Sequence, residues 1–290
     1  MSAPLPPHEP SGRTFIVVGD VQRTLLAERL LLREQNDGAR RAVLNEIAQQ
    51  HPAFVIMLGD LVARGDLREW QRFDAFTAAI TGARIPLYAV LGNHDYNGDA
   101  RALEHFFARF PELGGRRWST IRLASSAIVL LDSNFAWLGE TEQGAQHEWY
   151  RAELGALEQD AAIRSIVVCC HHPPYTNSMI VSSSQDVARA FVAPFLETEK
   201  GKLLFAGHAH AYEHFVHADK HFIVSGGGGG PRQRLRTHRW LRRHRDEFHG
   251  KSLRPFHFCR VTPEPDGVRV QMVALGMHDQ WRIGDEFVAR

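Results

Sequence analysis

The chain has 290 residues, 44% hydrophobic and 23% charged, with a formal net charge of +1. That suits one large α/β domain or two modest ones with a full core, and it excludes a chain-wide field drawing the protein to nucleic acid or anionic membrane. No apolar run approaches the ~18–20 residues of a membrane span, and the three cysteines, Cys169, Cys170 and Cys259, make no disulfide framework.

Residues 1–13 are Pro-rich, lack the apolar core of a signal peptide, and read as a disordered leader ahead of a single domain over 14–290. With reduced cysteines this points to a cytoplasmic setting, although a chain shortened from a secreted precursor would read the same way. In chain order, short β-branched runs alternate with stretches of helical period. The first predicted strand is 15–18. A helix follows and ends near Gln50, with Val43, Leu44, Ile47 and Ala48 on one face. The second strand spans 54–58; Trp70, Phe73, Phe76 and Ile80 mark the next helix, and 87–91 is the third strand. Further strands are expected at 127–131, 166–170, 203–206 and 221–224. Further helices are expected around 102–109, 144–158 and 185–197, the last capped by Ser184. Gly226–Gly230, closed by Pro231, reads as a turn or a close backbone approach to a ligand, and opens a Gly/Arg-rich loop over 226–250. Within it Arg232–Arg245 holds seven arginines in fourteen residues, read as a solvated mobile loop ahead of a substrate clamp. The tail, 256–290, reads as a β-hairpin turning at Pro265-Asp266-Gly267.

Helices between strands imply parallel crossovers, and in such sheets ligands bind beyond the carboxyl ends of the strands. Gly19-Asp20-Val21-Gln22 follows the first strand, Gly59-Asp60 the second and Gly92-Asn93-His94-Asp95 the third. His171-His172-Pro173-Pro174-Tyr175 follows the strand ending at Cys170, and Gly207-His208-Ala209-His210 the one ending at Ala206. Five strand ends thus deliver carboxylates, an amide and imidazoles to one sheet edge. The set suits first-row divalent ions, Mn²⁺, Fe²⁺ or Zn²⁺, and has more donors than one ion needs, so two are implied. Strand alternation would put His208 and His210 on one side, facing ions ~3.5–4 Å apart. Gly19, Gly59, Gly92 and Gly207 would permit the sharp turn off each strand.

Taken in order, Asp20, Gly59-Asp60, Gly92-Asn93-His94-Asp95, His171 and Gly207-His208-x-His210 resemble the five blocks of the calcineurin-like metallophosphoesterases, over roughly residues 14 to 230. Leu131-Asp132-Ser133-Asn134, Gln146-x-x-Trp149 and Val224-Ser225-Gly226-Gly227 agree, and the string GHAHAYEH is closest in style to the purple acid phosphatase branch. The resemblance implies a four-layer α/β/β/α sandwich, two mixed β-sheets flanked by helices, where periodicity alone gives only α/β. It implies that Asp60 bridges two metals, with Asp20 and His210 on the first and Asn93, His171 and His208 on the second. His171 is preferred to His172 because the family's ligand stands two residues before a proline, as His171 does before Pro173. His94 is implied as the general acid or as a charge clamp on phosphate. Two departures stand out. Many members carry Asp-x-His in the first block, where this chain has Asp20-Val21-Gln22, and purple acid phosphatases place a tyrosine ligand where this chain has Ala63. Gln22 would then coordinate through its carbonyl, or water would take that place. Ala63 also replaces an acidic residue that orients the third-block histidine in some relatives, a role Asp95 would take over.

Two divalent ions bring four positive charges, of which Asp20 and Asp60 return two, leaving a site suited to a phosphate ester. A hydroxide held by the metals is available near neutral pH, because coordination lowers the pKa of water from 15.7 to about 7. It would attack phosphorus in line while His94 protonates the leaving alkoxide. His172, Tyr175 and Asn93 are the candidates for substrate contact. The expected activity is acid-phosphatase-like hydrolysis of a small-molecule phosphomonoester. A phosphodiesterase acting on cyclic nucleotides or other diesters is the alternative, and a non-catalytic interaction module the third reading, against which the intact ligand set argues. No membrane or nucleic-acid partner is expected. His214, and His172 taken singly, read as satisfied core histidines, His238, His244 and His249 as surface, and Cys169-Cys170 as core packing.

Overall fold

The computed structural model describes residues 13–25, 28, 30 and 32–290, so the expected leader lies outside the described residues apart from Arg13. The first three strands, β1 (Phe15–Val18), β2 (Val55–Met57) and β3 (Leu87–Ala89), run parallel. They are linked through α1 (Asp37–Gln49) and α2 (Leu67–Gly82), which bury Val43, Leu44 and Ile47, and Trp70, Phe73 and Ile80. This is the i, i+3/i+4 spacing of a helix with one apolar stripe. Asp66 starts α2 by accepting the Glu69 N–H at 3.1 Å. Two short helices, α3 (Asn93–Tyr96) and α4 (Ala102–Phe107), follow β3.

The second half repeats the plan. β4 (Ser119–Leu123), β5 (Ser126–Leu130), α5 (Glu140–Gln159) and β6 (Ser165–Cys169) come first. A helical stretch α6 (185–196) follows, capped by the Ser184 hydroxyl and containing a π-turn at Ala188–Val192. Then come β7 (Gly201–Ala206), β8 (Tyr212–His217) and β9 (Lys220–Ser225), and the chain ends with β10 (His257–Glu264), β11 (Gly267–Leu275) and β12 (Trp281–Ala289). One sheet has the order β12-β11-β10-β1-β2-β3, the other β4-β5-β6-β7-β9-β8. Both are mixed: β5, β6, β7 and β9 are parallel, while β4, β8 and β10–β12 pair antiparallel.

The expected four layers form because the central strands are apolar on both faces. In β6, Val167 and Cys169 join the cluster shared with the first sheet, α1 and α2, while Ile166 and Val168 pack with Tyr150 and Leu154 of α5 and Phe191 and Phe195 of α6. A strand covered on both sides reads as a continuous apolar run. Three strands went unread in the sequence, and all are sheet edges. β4 and β12 alternate polar and half-buried residues, and β8 carries buried Glu213 and His214 mid-strand. With β12 the tail is a three-stranded meander; its turn at 265–266 is where the sequence put it, but the hairpin is only part of it.

The Arg-rich segment is pinned, which corrects the expectation of a mobile loop. Arg232 pairs with Glu34 at 2.7 Å, buried Arg254 pairs with Asp246 at 2.7 Å, and single bridges tie Leu235 to Ser178 and Arg234 to Leu253. Among the described residues no helix is long and apolar enough to cross a membrane.

Candidate metal centre

The carboxyl ends of β1, β2, β3, β6 and β7 meet at one edge of the sandwich, and backbone bonds lace their loops together. Asp20 N–H donates to Gly59 O at 3.1 Å, Gln22 N–H to Asp60 O at 3.0 Å, and Gly207 N–H to His171 O at 2.9 Å. Three of the donor residues take left-handed backbone: Asp20 (φ 60°), Asp60 (φ 52°) and His208 (φ 65°). Non-glycine residues seldom adopt it, and its cost is tolerated where the surroundings enforce it, often at functional sites. Of the turn glycines, Gly59 has positive φ at 83°. Gly92 and Gly207 serve closeness instead: a Cβ at Gly92 would collide with the Asp60 backbone and carboxylate, and one at Gly207 would stand 2.7 Å from Asp20 Oδ2.

The donors fall into two groups sharing one carboxylate. In the first, His210 Nε2 lies 3.4 Å from Asp20 Oδ1 and 3.2 Å from Gln22 Nε2. In the second, His171 Nε2 lies 3.2 Å from Asn93 Oδ1 and 3.1 Å from His208 Nδ1. Asp60 stands between, its Oδ1 3.5 Å from His171 Nε2 and its Oδ2 3.4 Å from Gln22 Nε2. Extended alternation does not deliver His208 and His210. His208 sits in a left-handed turn closed by Ala209 N–H to Gly207 O at 2.7 Å, and the next turn, Ala211 N–H to Ala209 O at 2.6 Å, sends His210 to the other group.

Hydrogen bonds settle the tautomers. A carbonyl oxygen only accepts, so His171 Nδ1–H donates to Leu58 O and His210 Nδ1–H to Pro231 O, each at 2.8 Å. Burial, with His172 beside it, holds His171 well below the usual histidine range, and burial beside His171 does the same to His208. Neutral His171 therefore aims its Nε2 lone pair at Asn93 Oδ1 and Asp60 Oδ1, acceptor facing acceptor. Burial pushes Asp20 up to about 6. At His210 burial lowers the pKa, but Asp20 outweighs it and raises it. Among the described residues the ion-pair partners of Asp20 and Asp60 are His210 and His171 alone, and Gln22 Oε1 is buried without a partner. Buried neutral imidazoles, two carboxylates and the Asn93 amide oxygen converging with lone pairs inward fit divalent cations.

His94 is half-buried at the rim. Its backbone N–H donates to Asp60 Oδ1 at 2.9 Å and its Nδ1–H to Ala63 O at 3.0 Å, leaving Nε2 outside both bonds. Burial lowers its pKa, but the charge of Asp60, the Ala63 carbonyl and Asp95 outweigh that and raise it. The backbone carbonyl of residue 63 thus orients this ring, which corrects the role expected of Asp95. The Asp95 carboxylate instead accepts Leu61, Val62 and Gly92 N–H at 2.9, 3.2 and 2.8 Å. It is fully buried, and burial pushes it up to about 8. His172 stays at the site, its ring 4.6 Å from that of His208. Tyr175 does not: it packs with Phe215, His217, Phe222 and His244.

Three supporting residues escaped sequence reading as such. Ser133 Oγ accepts His171 and His172 N–H at 3.2 and 2.9 Å, leaving its own hydrogen for His172 Nδ1 at 2.9 Å. Fully buried Arg40 donates to Gln22 O at 2.6 Å and Gly229 O at 3.1 Å. Gln233 donates its N–H to His210 O at 3.1 Å and Nε2 to His208 O at 3.3 Å. Only Ser133 lay in a stretch the motifs had marked.

Comparison with known proteins places this geometry in context. The sequence model of the calcineurin-like phosphoesterases matches residues 13–212. A protein of Rhodopseudomonas palustris named "Probable cyclic nucleotide phosphodiesterase" is 28% identical over 210 residues, 68% of this chain and 71% of that protein. Purple acid phosphatase 1 of Ipomoea batatas is 24% identical over 216 residues, 69% of this chain but 42% of its own length. A purple acid phosphatase from yellow lupin (Lupinus luteus) seeds superposes with a TM-score of 0.69 at 15% identity, over 98% of this chain and 55% of that one. The chain thus spans about half the length of the purple acid phosphatases it matches.

Proposed function

The chain belongs to the calcineurin-like phosphoesterase family, and we propose that it hydrolyses small-molecule phosphomonoesters with two divalent cations at the centre described above. The observation that carries this reading is the buried His171 lone pair facing Asn93 and Asp60 oxygens, an arrangement that a cation relieves. Asp20 and His210, with Gln22 beside them, would hold one ion, Asn93, His171 and His208 the other, and Asp60 both. Mn²⁺, Fe²⁺ and Zn²⁺ all suit these donors. When bound, such ions activate water and neutralise phosphate charge.

The chain's own residues have separable tasks. His94, as imidazolium, gives its Nε2 proton to the leaving oxygen; Ala63 O keeps the ring aimed. His172, whose Nδ1 accepts from Ser133, carries its proton on Nε2 and donates it to a phosphate oxygen. Left-handed turns at Asp20, Asp60 and His208 hold the donors before substrate arrives, so little reorganisation remains for the reaction.

A phosphodiesterase is the second reading, favoured by the Rhodopseudomonas palustris relative, of which the chain covers 71%. The test is hydrolysis of p-nitrophenyl phosphate against its bis ester, by metal-stripped protein reconstituted with Mn²⁺, Fe²⁺, Zn²⁺ or Mg²⁺. Faster monoester turnover supports the first reading and faster diester turnover the second. Failure on both esters with every metal removes both.

A further inference from the structure

Four large apolar side chains stand exposed on two joined loops: Met179 (54%), Ile180 (62%), Trp240 (75%) and Leu241 (66%). The loops are bound together by backbone and side-chain bonds. Met179 N–H donates to Arg234 O at 2.9 Å and Arg236 N–H to Asn177 O at 2.9 Å. Buried Asn177 accepts Arg243 and His244 N–H at 2.7 and 2.9 Å, and the Arg243 guanidinium caps Val181 O at 3.2 Å. The apolar residues therefore sit on an ordered lobe with no apolar cover among the described residues.

The same lobe is cationic. Residues 232–245 contain seven arginines and no Asp or Glu. Arg232 pairs with Glu34 and Arg245 with Glu247, but Arg234, Arg236, Arg239, Arg242 and Arg243 have no carboxylate partner among the described residues. Arg239 lies over the Trp240 ring at 4.5 Å. A chain whose net charge is +1 has thus concentrated unpaired positive charge around its most exposed tryptophan.

We propose that this lobe docks on an anionic lipid surface. Trp240, Leu241, Met179 and Ile180 enter the boundary between headgroups and acyl chains while the surrounding guanidiniums meet anionic headgroups. Arginine suits this position because its stem tolerates apolar surroundings while its head stays among phosphates. Single-stranded nucleic acid would use the arginines and the indole, but Met179, Ile180 and Leu241 offer no stacking face to bases, whereas acyl chains reward all four side chains. No spanning helix is needed for such contact. The composition-level expectation of no membrane partner rested on the net charge of +1, an average that does not register a local concentration of arginines.

The experiment is co-sedimentation with phosphatidylcholine vesicles, with and without phosphatidylserine, at two salt concentrations. Wild type should sediment with the anionic vesicles, less at high salt, and little with the neutral ones. Trp240→Ser/Leu241→Ser should abolish most of this. Arg239→Gln and Arg242→Gln should each weaken it about 5-fold. All variants should keep the wild-type melting temperature and ester hydrolysis; Ile180→Ser replaces the double variant if that one unfolds. Four results would overturn the proposal: equal sedimentation with neutral vesicles, wild-type binding by the apolar variant, tighter binding of a single-stranded oligonucleotide lost in the same variants, or self-association lost in them.

Discussion

His171 Nε2 lies 3.5 Å from Asp60 Oδ1, with the proton of the neutral ring committed to the Leu58 carbonyl on the opposite nitrogen. The other Asp60 oxygen, Oδ2, faces Gln22 of the first donor group. On the proposed reading, a carboxylate so divided would serve both ions. Asp60→Asn should therefore lower metal content at both positions together, whereas Asn93→Ala should empty mainly one. Elemental analysis of the purified variants decides it, and two retained equivalents in Asp60→Asn would show that Asp60 does not bridge.

His94 touches the Ala63 carbonyl with Nδ1, which leaves Nε2 for the proposed proton transfer to the leaving oxygen. His94→Ala should lose on the order of 10²–10⁴-fold in kcat on an alkyl phosphate with metal content unchanged. The loss should shrink for p-nitrophenyl phosphate, whose leaving group needs no proton. An equal loss on both esters would assign His94 to phosphate binding instead.

Gln22 Nε2 lies 3.2 Å from His210 Nε2, where an imidazole would strengthen the proposed first ion site. Its amide oxygen is a weak donor to transition metals and a better match to harder ions. Gln22→His should lower the Mn²⁺ concentration for half-maximal activity by about 10-fold. Ala63 offers no phenolate, so wild type loaded with iron should lack a visible charge-transfer band. An unchanged Mn²⁺ requirement, or a purple protein, contradicts this account.

Arg40 supports that residue from behind, bonding the Gln22 and Gly229 carbonyls from a fully buried position. Arg40→Met would leave both carbonyls buried and unpaired, at a cost of about 3 kcal/mol. Chemical denaturation should register the loss. The Mn²⁺ requirement should rise as well, since Gln22 loses its anchor; destabilisation with unchanged metal affinity would make Arg40 structural only.

His257 gives the fold a pH dependence of its own. It is fully buried, its Nδ1–H donates to Pro255 O at 3.0 Å, its Nε2 has no partner among the described residues, and burial pushes its pKa from 6.5 down to about 4. Between those values the unfolded chain binds a proton that the folded chain refuses. Stability therefore falls as pH drops from 6.5 to about 4, by about 3 kcal/mol from this group, and this group adds no further loss below that. Denaturation of metal-stripped protein across that window should show the decline, and His257→Gln should flatten it by a comparable amount. An unchanged slope in the variant would place the acid sensitivity elsewhere.

The sequence by itself determined the strand-end chemistry. β1, β2, β3, β6 and β7 are apolar on both faces, so each had to be covered on two sides and could show polar groups only at its ends. There Asp20, Asp60, Asn93, His94, His171, His208 and His210 stood out against the apolar runs. Of the four edge strands, β3 kept an apolar run and was legible, while β4, β8 and β12 carry polar residues along their length and were not. Asp95 and Tyr175 adjoin the motif residues in sequence, yet one carboxylate was taken by three backbone N–H groups and the other side chain by an aromatic cluster. Tertiary structure alone decided which nitrogen of each histidine faces the centre, and hence how the donors divide. Those choices rest on the carbonyls of Leu58, Ala63 and Pro231. A backbone carbonyl is the same in every residue, so its place across the fold leaves no trace in the side-chain pattern.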